Sequence, residues 1–370
     1  MNAPAVALLD EPAARFLGDL PLWDADCEDL LVCRQVRVET HDVKTFVFQS
    51  RSPSLFRYFP GQFLTLDLEI GGEIVNRCYT ISSAPTRPGT VSITVKRVPG
   101  GPASNWLHDN LRAGDMVRAV GPMGEFTCLD HPAPKYLFLS GGSGITPLMS
   151  MARTFHDLAE PRDIVFVHNA RSPADIIFRQ ELELIAKNAP SFRFAPVCET
   201  DGSGERWHGL HGRLGLDMLR LIAPDFAERT IFTCGPAPYM AAVRAMLGQA
   251  GFDMARYHEE SFSFEDLSPA VVEEVLEQEA PATKTFRVEF AKSKRVVECP
   301  ADVPILTAAR TAGMRLPSSC TKGMCGTCKS KKLSGEVAMT HQGGIRQREV
   351  DQGMILICCA KPLSDLVIDR

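Results

Sequence analysis

The chain has 370 residues and a mass of 40.6 kDa, more than one ordinary domain, and its 45% hydrophobic and 23% charged residues with mean hydropathy −0.05 exclude wholesale disorder. A formal net charge of −5 and a pI near 6.0 argue against a general nucleic-acid binder, which carries a basic balance. No run approaches the roughly 18 consecutive apolar residues of a membrane span, and Met1–Leu22 has acids with Arg15 as its only base, so neither membrane insertion nor export is expected and the chain reads as cytoplasmic.

Residues 1–28, with Trp23, read as an N-terminal extension. Residues 29–131 follow as short alternating strands at Val36–Thr40, Thr45–Gln49, Phe63–Ile70, Val91–Val98 and Met116–Val120. Glycine turns separate them, the pattern of a small antiparallel β-barrel. Within it lies Arg77-Cys78-Tyr79-Thr80-Ile81-Ser82-Ser83. Strand alternation puts Arg77, Tyr79 and Ile81 on one face, where a guanidinium suits a diphosphate and a tyrosine suits stacking on a flat ring. The turn Val98-Pro99-Gly100-Gly101-Pro102-Ala103-Ser104 leads into a helix expected near Asn105 with Ser104 as its cap. Such a helix start favours phosphate.

Residues 132–265 change to strand and helix alternation. Strands are expected at Lys135–Leu139, Asp163–His168, Phe192–Val197 and Thr230–Cys234, and helices from Pro147, through Ile177–Asn188 and over Pro238–Ala250. This rhythm predicts an α/β domain with a parallel sheet. After the first strand comes Ser140-Gly141-Gly142-Ser143-Gly144-Ile145-Thr146-Pro147, whose glycines permit close approach to a pyrophosphate, although Pro147 stands where a full G-x-G-x-x-G would have its third glycine.

Residues 266–283 read as an acidic linker, with six acids and no base between Glu265 and Glu279 and with Pro281 following. A tether of this kind keeps the last domain close while letting it swing. Over 284–370 a hairpin at Thr285–Phe290 and Arg295–Cys299 precedes a helix at Val303–Ala312. Cys320, Cys325 and Cys328 then form C-x4-C-x2-C, with Cys358 further on. That is the plant-type ligand spacing for a 2Fe-2S cluster, whereas zinc sites typically pair two C-x2-C knuckles. The segment carries 15 Lys and Arg against 8 Asp and Glu, leaving the first 283 residues at −12. Lys322, Lys329, Lys331 and Lys332 flank the cysteine loop, as a docking face or as a solvated one.

The R-x-Y-T-x-S-S stretch through Ser83, the glycine turn after it, the G-G-x-G-I-T-P loop and Thr233-Cys234-Gly235-Pro236 together resemble the ferredoxin-NADP reductase superfamily. The resemblance implies that Arg77 and the Gly101–Ser104 turn hold flavin phosphates, that Tyr79 covers the isoalloxazine, that Thr80 bonds near its reactive nitrogen, and that Ser83 also binds the cofactor. It gives Gly141, Gly142, Gly144, Thr146, Pro147 and Gly235 to the pyridine nucleotide and Arg171 to the adenosine ribose, with Arg179 further on. Cys234 would line the nicotinamide site, with Glu260 and Phe262 closing over it. FAD is expected rather than FMN, and NADH rather than NADPH.

The C-terminal segment resembles ferredoxin β-grasp domains. That resemblance selects Cys358 over the adjacent Cys359 as the fourth ligand. The complete order resembles the reductase components of bacterial multicomponent oxygenases. It implies a path from NAD(P)H through flavin and a 2Fe-2S cluster to a Rieske-type oxygenase that demethylates a quaternary ammonium compound, glycine betaine foremost. A reductase for a hybrid-cluster protein, a reductase for an oxygenase acting on stachydrine, carnitine or an aromatic, and a flavin and iron-sulfur redox sensor are the alternatives.

Overall fold

Three stretches of the sequence each bury their own apolar face behind a separate sheet. The computed structural model describes residues 20–25, 29–261, 284–314, 316, 323, 326–341 and 344–370. The expected linker and most of the N-terminal extension lie outside them, as do Phe262, Cys320 and Cys325.

The first sheet runs through β1 (Leu30–Thr40), β2 (Val43–Ser50), β3 (Phe63–Ile70), β4 (Glu73–Thr80), β5 (Val91–Lys96) and β6 (Met116–Met123) in the order β4-β3-β6-β1-β2-β5. Every pairing is antiparallel, and a bridge between Ile81 and Ile93 brings the two edge strands together into the expected barrel. Its core holds Leu31, Phe46, Phe48, Leu64 and Leu66 with no more than traces of solvent contact, each worth about 1.5–3 kcal/mol of burial. Helix α1 (Pro102–Asn110) begins earlier than expected, because Gly101 is its N-cap and Pro102 opens the first turn. Ser104 is therefore inside the helix and not its cap. Its hydroxyl accepts from Val98 N at 3.1 Å and donates to Gly101 O at 3.3 Å.

The second sheet is parallel throughout, built from β7 (Lys135–Gly141), β8 (Asp163–Ala170), β9 (Phe192–Cys198), β10 (Leu210–His211), β11 (Thr230–Gly235) and β12 (Tyr257–Ser261) in the order β10-β9-β8-β7-β11-β12. Helices α2 (Ile145–Asp157), α3 (Arg179–Asn188), α4 (Leu216–Ile222) and α5 (Ala237–Gln249) connect the strands. Phe178 takes φ 58°, so α3 starts at Arg179 and not at Ile177. This domain locks to the barrel through Ser150 Oγ, which donates to Ser83 O at 2.7 Å. Arg153 adds a bond to Ser82 O at 2.5 Å while Glu181 grips the same guanidinium at 2.6 and 2.7 Å.

The third sheet contains β13 (Thr285–Phe290), β14 (Arg295–Pro300), β15 (Lys329–Ser334), β17 (Met354–Leu356) and β19 (Leu366–Asp369), ordered β14-β13-β19-β15-β17. Strands β16 (Val337–Met339) and β18 (Ala360–Pro362) pair beside it. The β13–β19 pairing is parallel across an antiparallel surround. Helix α6 (Ile305–Thr311), with Pro304 as N-cap, packs on this sheet, and a short α7 (Gln347–Asp351) precedes β17. This is the β-grasp arrangement. The domain is seated on the barrel, with Arg348 Nη2 2.7 Å from Asp29 Oδ2 and Arg346 Nη2 donating to Ala119 O at 2.7 Å. Among the described residues no helix is long and apolar enough to cross a membrane.

Candidate functional site

The nucleotide site is assembled by register. On β7, β11 and β12, Ser140 pairs with Cys234 and Cys234 with Glu260, so the glycine loop, the Cys-Gly-Pro turn and the acid leave one end of the sheet side by side. Gly141 and Gly142 lie at the end of β7, and Gly142 takes φ 54°. A Cβ on Gly144 would fall 2.3 Å from the Cys234 carbonyl, so only glycine lets the loop nest against that turn. Gly141 and Gly235 meet the Tyr239 ring in the same way, at 3.2 and 2.7 Å. Thr146 donates to Ser143 O at 3.2 Å and Pro147 is buried, which fixes the start of α2. Helix N–H groups and glycine backbone at a strand end are the donor set that a pyrophosphate needs.

Cys234 is fully buried, and burial first, then the neighbouring Glu260, pushes its thiol well above the usual range. It is therefore a neutral wall of the site and not a thiolate nucleophile. Burial pushes the Glu260 carboxyl up to about 8. The residue is half-buried as a whole, but its Oε2 is sealed from solvent with no hydrogen-bond partner among the described residues. A buried, proton-bearing carboxyl oxygen beside a glycine loop suits a polar ligand.

Arg171 is exposed after β8, and its carbonyl accepts from Thr200 N at 2.9 Å. Arg179 lies nearby on α3 but is spoken for. Glu205 holds its fork at 2.9 and 3.0 Å, Glu183 takes Nε at 3.0 Å, and the guanidinium lies 5.4 Å from the Trp207 ring centroid.

On the barrel, Arg77 and Tyr79 pair with Leu66 and Leu64 across β3 and β4, while Cys78 pairs with Thr65 on the alternate face. Arg77 Nη1 donates to Asn76 O at 2.7 Å. Thr80 is buried just beyond Tyr79. Ser83 is absorbed by the fold: its Oγ accepts from Ser92 N at 2.9 Å and shares a bond of 2.9 Å with Tyr58 OH. No side chain caps α1, so the amides of its first turn remain for an anion, with Gly101 at their head. A cation, an aromatic ring and an uncapped helix start fit a flavin with its phosphates.

In the third domain the Cys328 and Cys358 thiols lie within hydrogen-bonding reach of each other inside one core. Gly323 and Gly326, both at φ 72°, shape the loop, and a Cβ on Gly323 would fall 2.6 Å from Cys359 Sγ. Cys359 Sγ turns to Leu356 O at 3.6 Å. Converging thiols in a glycine-shaped loop fit an iron-sulfur cluster. None of the described cysteines forms a disulfide.

Sequence reading passed over several residues in this frame. His168 Nδ1 and Ser140 Oγ are 2.8 Å apart behind the glycine loop. Buried Arg229 binds Asp163 and Asp225 with four bonds of 2.9 to 3.0 Å. Neither lies in a motif: His168 is an isolated polar residue in the apolar strand β8, and Arg229 stands among ordinary polar residues just before β11.

Three domain families match the chain: oxidoreductase FAD-binding over residues 31–128, oxidoreductase NAD-binding over 138–245, and 2Fe-2S iron-sulfur cluster binding over 288–363. The glycine betaine monooxygenase reductase subunit of Pseudomonas aeruginosa is 49% identical over 351 residues, 93% of this chain and 96% of that one. Its counterpart from Chromohalobacter salexigens is 50% identical, covering 91% and 94%. The stachydrine N-demethylase reductase subunit of Rhizobium meliloti is 43% identical, covering 95% and 98%. Among solved structures, phthalate dioxygenase reductase superposes with a TM-score of 0.55 at 26% identity, covering 92% of this chain and 97% of that one.

Proposed function

The chain belongs to the oxidoreductase family that joins FAD-binding, NAD-binding and 2Fe-2S domains in the reductase subunits of oxygenase systems, and from that premise we propose that it supplies a Rieske-type oxygenase which demethylates a quaternary ammonium compound, glycine betaine first. The observation that carries this reading is the pairing of three cofactor sites in one chain with near-complete coverage of relatives bearing that name.

In this reading the glycine loop and the start of α2 hold the dinucleotide pyrophosphate, and Cys234 and Glu260 wall the nicotinamide. Arg77, Tyr79, Thr80 and the first turn of α1 hold FAD. Cys320, Cys325, Cys328 and Cys358 are the ligands of the cluster. Bound flavin supplies the conversion from paired to single electrons that nicotinamide and cluster cannot make between themselves. NADH is the donor, because Glu205 and Glu183 already occupy the Arg179 fork and would repel a 2'-phosphate. The thiol-rich chain, with no disulfide among its described cysteines, suits the reducing cytoplasm.

The test is reconstitution with a glycine betaine Rieske oxygenase, measuring formaldehyde released. The expected result is release that requires both proteins and that NADH drives better than NADPH. NADH oxidation without formaldehyde would refute the glycine betaine assignment.

A further inference from the structure

The ferredoxin domain meets the barrel through a cluster of charges that no cofactor motif contains. Arg346, with about 4% of its side chain exposed, places Nη1 3.5 Å from Asp29, 3.7 Å from Asp67 and 3.8 Å from its own helix's Glu349. Its Nη2 bonds Ala119 O on β6 at 2.7 Å, and its Nε is buried without a partner among the described residues. Arg348 and Arg118 share Asp29 from either side, at 2.7 and 2.8 Å. Lys329, next to Cys328 and almost fully buried, pairs with Glu349 at 2.8 Å. Part of the basic excess of this domain is therefore spent inside the molecule, on barrel acids.

What these contacts hold in place is the back of the flavin strand. Cys78, between Arg77 and Tyr79 in sequence but on the opposite face of β4, has its Sγ 3.4 Å from Thr65 Oγ1 and 3.5 Å from Thr327 Oγ1. Thr327 is buried and adjoins Cys328. A Cβ on Gly326 would stand 3.8 Å from Thr65 Cγ2 and 2.8 Å from Gly344 O, so both segments of the ferredoxin domain that reach the barrel are pressed close there. One strand thickness separates the residues that face the flavin from a cysteine that ligates the cluster.

We infer that Arg346 is a positioning residue for the electron step between flavin and cluster, clamping the ferredoxin domain onto Asp29, Asp67 and Ala119 so that Thr327 and Cys328 abut the Cys78 face of β4. The inference rests on the cofactor path proposed above. A buried ion pair is a poor adhesive, because desolvation offsets most of its attraction, but it penalises every register except the paired one. The unpartnered Nε makes this contact weaker still as an adhesive. Burial holds the Asp67 carboxyl above its usual range in spite of Lys329 and Arg346, with Glu349 adding to the rise and Asn76 opposing it. Asp67 therefore contributes selectivity of docking without contributing stability at neutral pH.

The experiment uses the full holoprotein and variants Arg346→Met, Arg346→Lys and Asp67→Asn. Anaerobic single-turnover mixing with NADH resolves flavin reduction from cluster reduction, and small-angle X-ray scattering reports whether the domain stays seated. Arg346→Met is expected to slow cluster reduction by about tenfold or more, to leave flavin reduction within about twofold, and to broaden the scattering envelope. Arg346→Lys is expected to recover part of the rate. Asp67→Asn is expected to slow cluster reduction with no loss of thermal midpoint, and it decides the matter if Arg346→Met does not fold. Cluster reduction at the native rate in both Arg346→Met and Asp67→Asn, or in Asp67→Asn alone when only that variant folds, overturns the inference. Absence of cluster reduction in the unaltered protein would instead refute the cofactor path itself.

Discussion

Among the described residues no cation holds the charge of Glu260, and burial alone raises its carboxyl from 4.5 to about 8. At neutral pH it therefore carries its proton, and a protonated carboxyl can give a hydrogen bond to a polar ligand. The folded chain binds this proton more tightly than the unfolded chain does. The stability so gained is fully present below about 4.5 and is lost as the pH rises through about 8. Glu260→Gln should remove that slope, so that thermal midpoints of variant and parent diverge in favour of the variant on passing to alkaline pH. Parallel midpoints across the range would show the carboxyl to be solvated. The reading of Cys358 as ligand and Cys359 as neighbour is likewise a matter of single residues, and it gains support from the Cys328 thiol beside Cys358 and from the turn of Cys359 toward Leu356 O.

At the scale of elements, the glycine loop and the Cys-Gly-Pro turn act as one part. Gly144→Ala would drive a methyl into the Cys234 carbonyl at 2.3 Å, an overpacking cost of about 1–3 kcal/mol that the loop can relieve only by leaving the turn. The expected outcome is NADH affinity weaker by about tenfold with flavin content unchanged, measured by titration of the oxidised protein. Unaltered affinity would show that the two turns work separately. Most of these elements were legible in the sequence, because period-2 alternation in the barrel and apolar runs between helices carry their own signature. The start of α1 is harder to read, since Ser104 has the right residue type for a cap, yet Pro102 with Gly101 before it opens the helix three residues earlier. Strand β12 and helix α4 were not anticipated. Tyr257–Ser261 is polar enough to hide a strand that β11 pairs on one side, and Leu216–Ile222 is too short to show a period.

For the whole molecule, composition and motif order announced the three cofactor sites, but nothing in the sequence announced how the third domain sits. The acidic segment before it suggested a freely swinging tether, whereas the structure seats the domain through Arg346 and Arg348 on Asp29, Asp67 and Ala119. Such long-range charge pairs leave no periodic trace, because each partner is an ordinary surface-type residue in its own stretch of chain. The seating makes the chain a fixed relay from nucleotide domain to barrel to ferredoxin, with the last domain also the one that must face an outside acceptor. The most direct test of this relay is anaerobic mixing of NADH with the parent protein and with Cys358→Ser, following flavin and cluster by their separate absorbances. A fixed relay gives flavin reduction followed by cluster reduction in the parent, and in Cys358→Ser flavin reduction at an unchanged rate with the cluster phase gone. Loss of flavin reduction in Cys358→Ser, or a cluster phase that survives it, would contradict a relay that ends on a cluster held by Cys358.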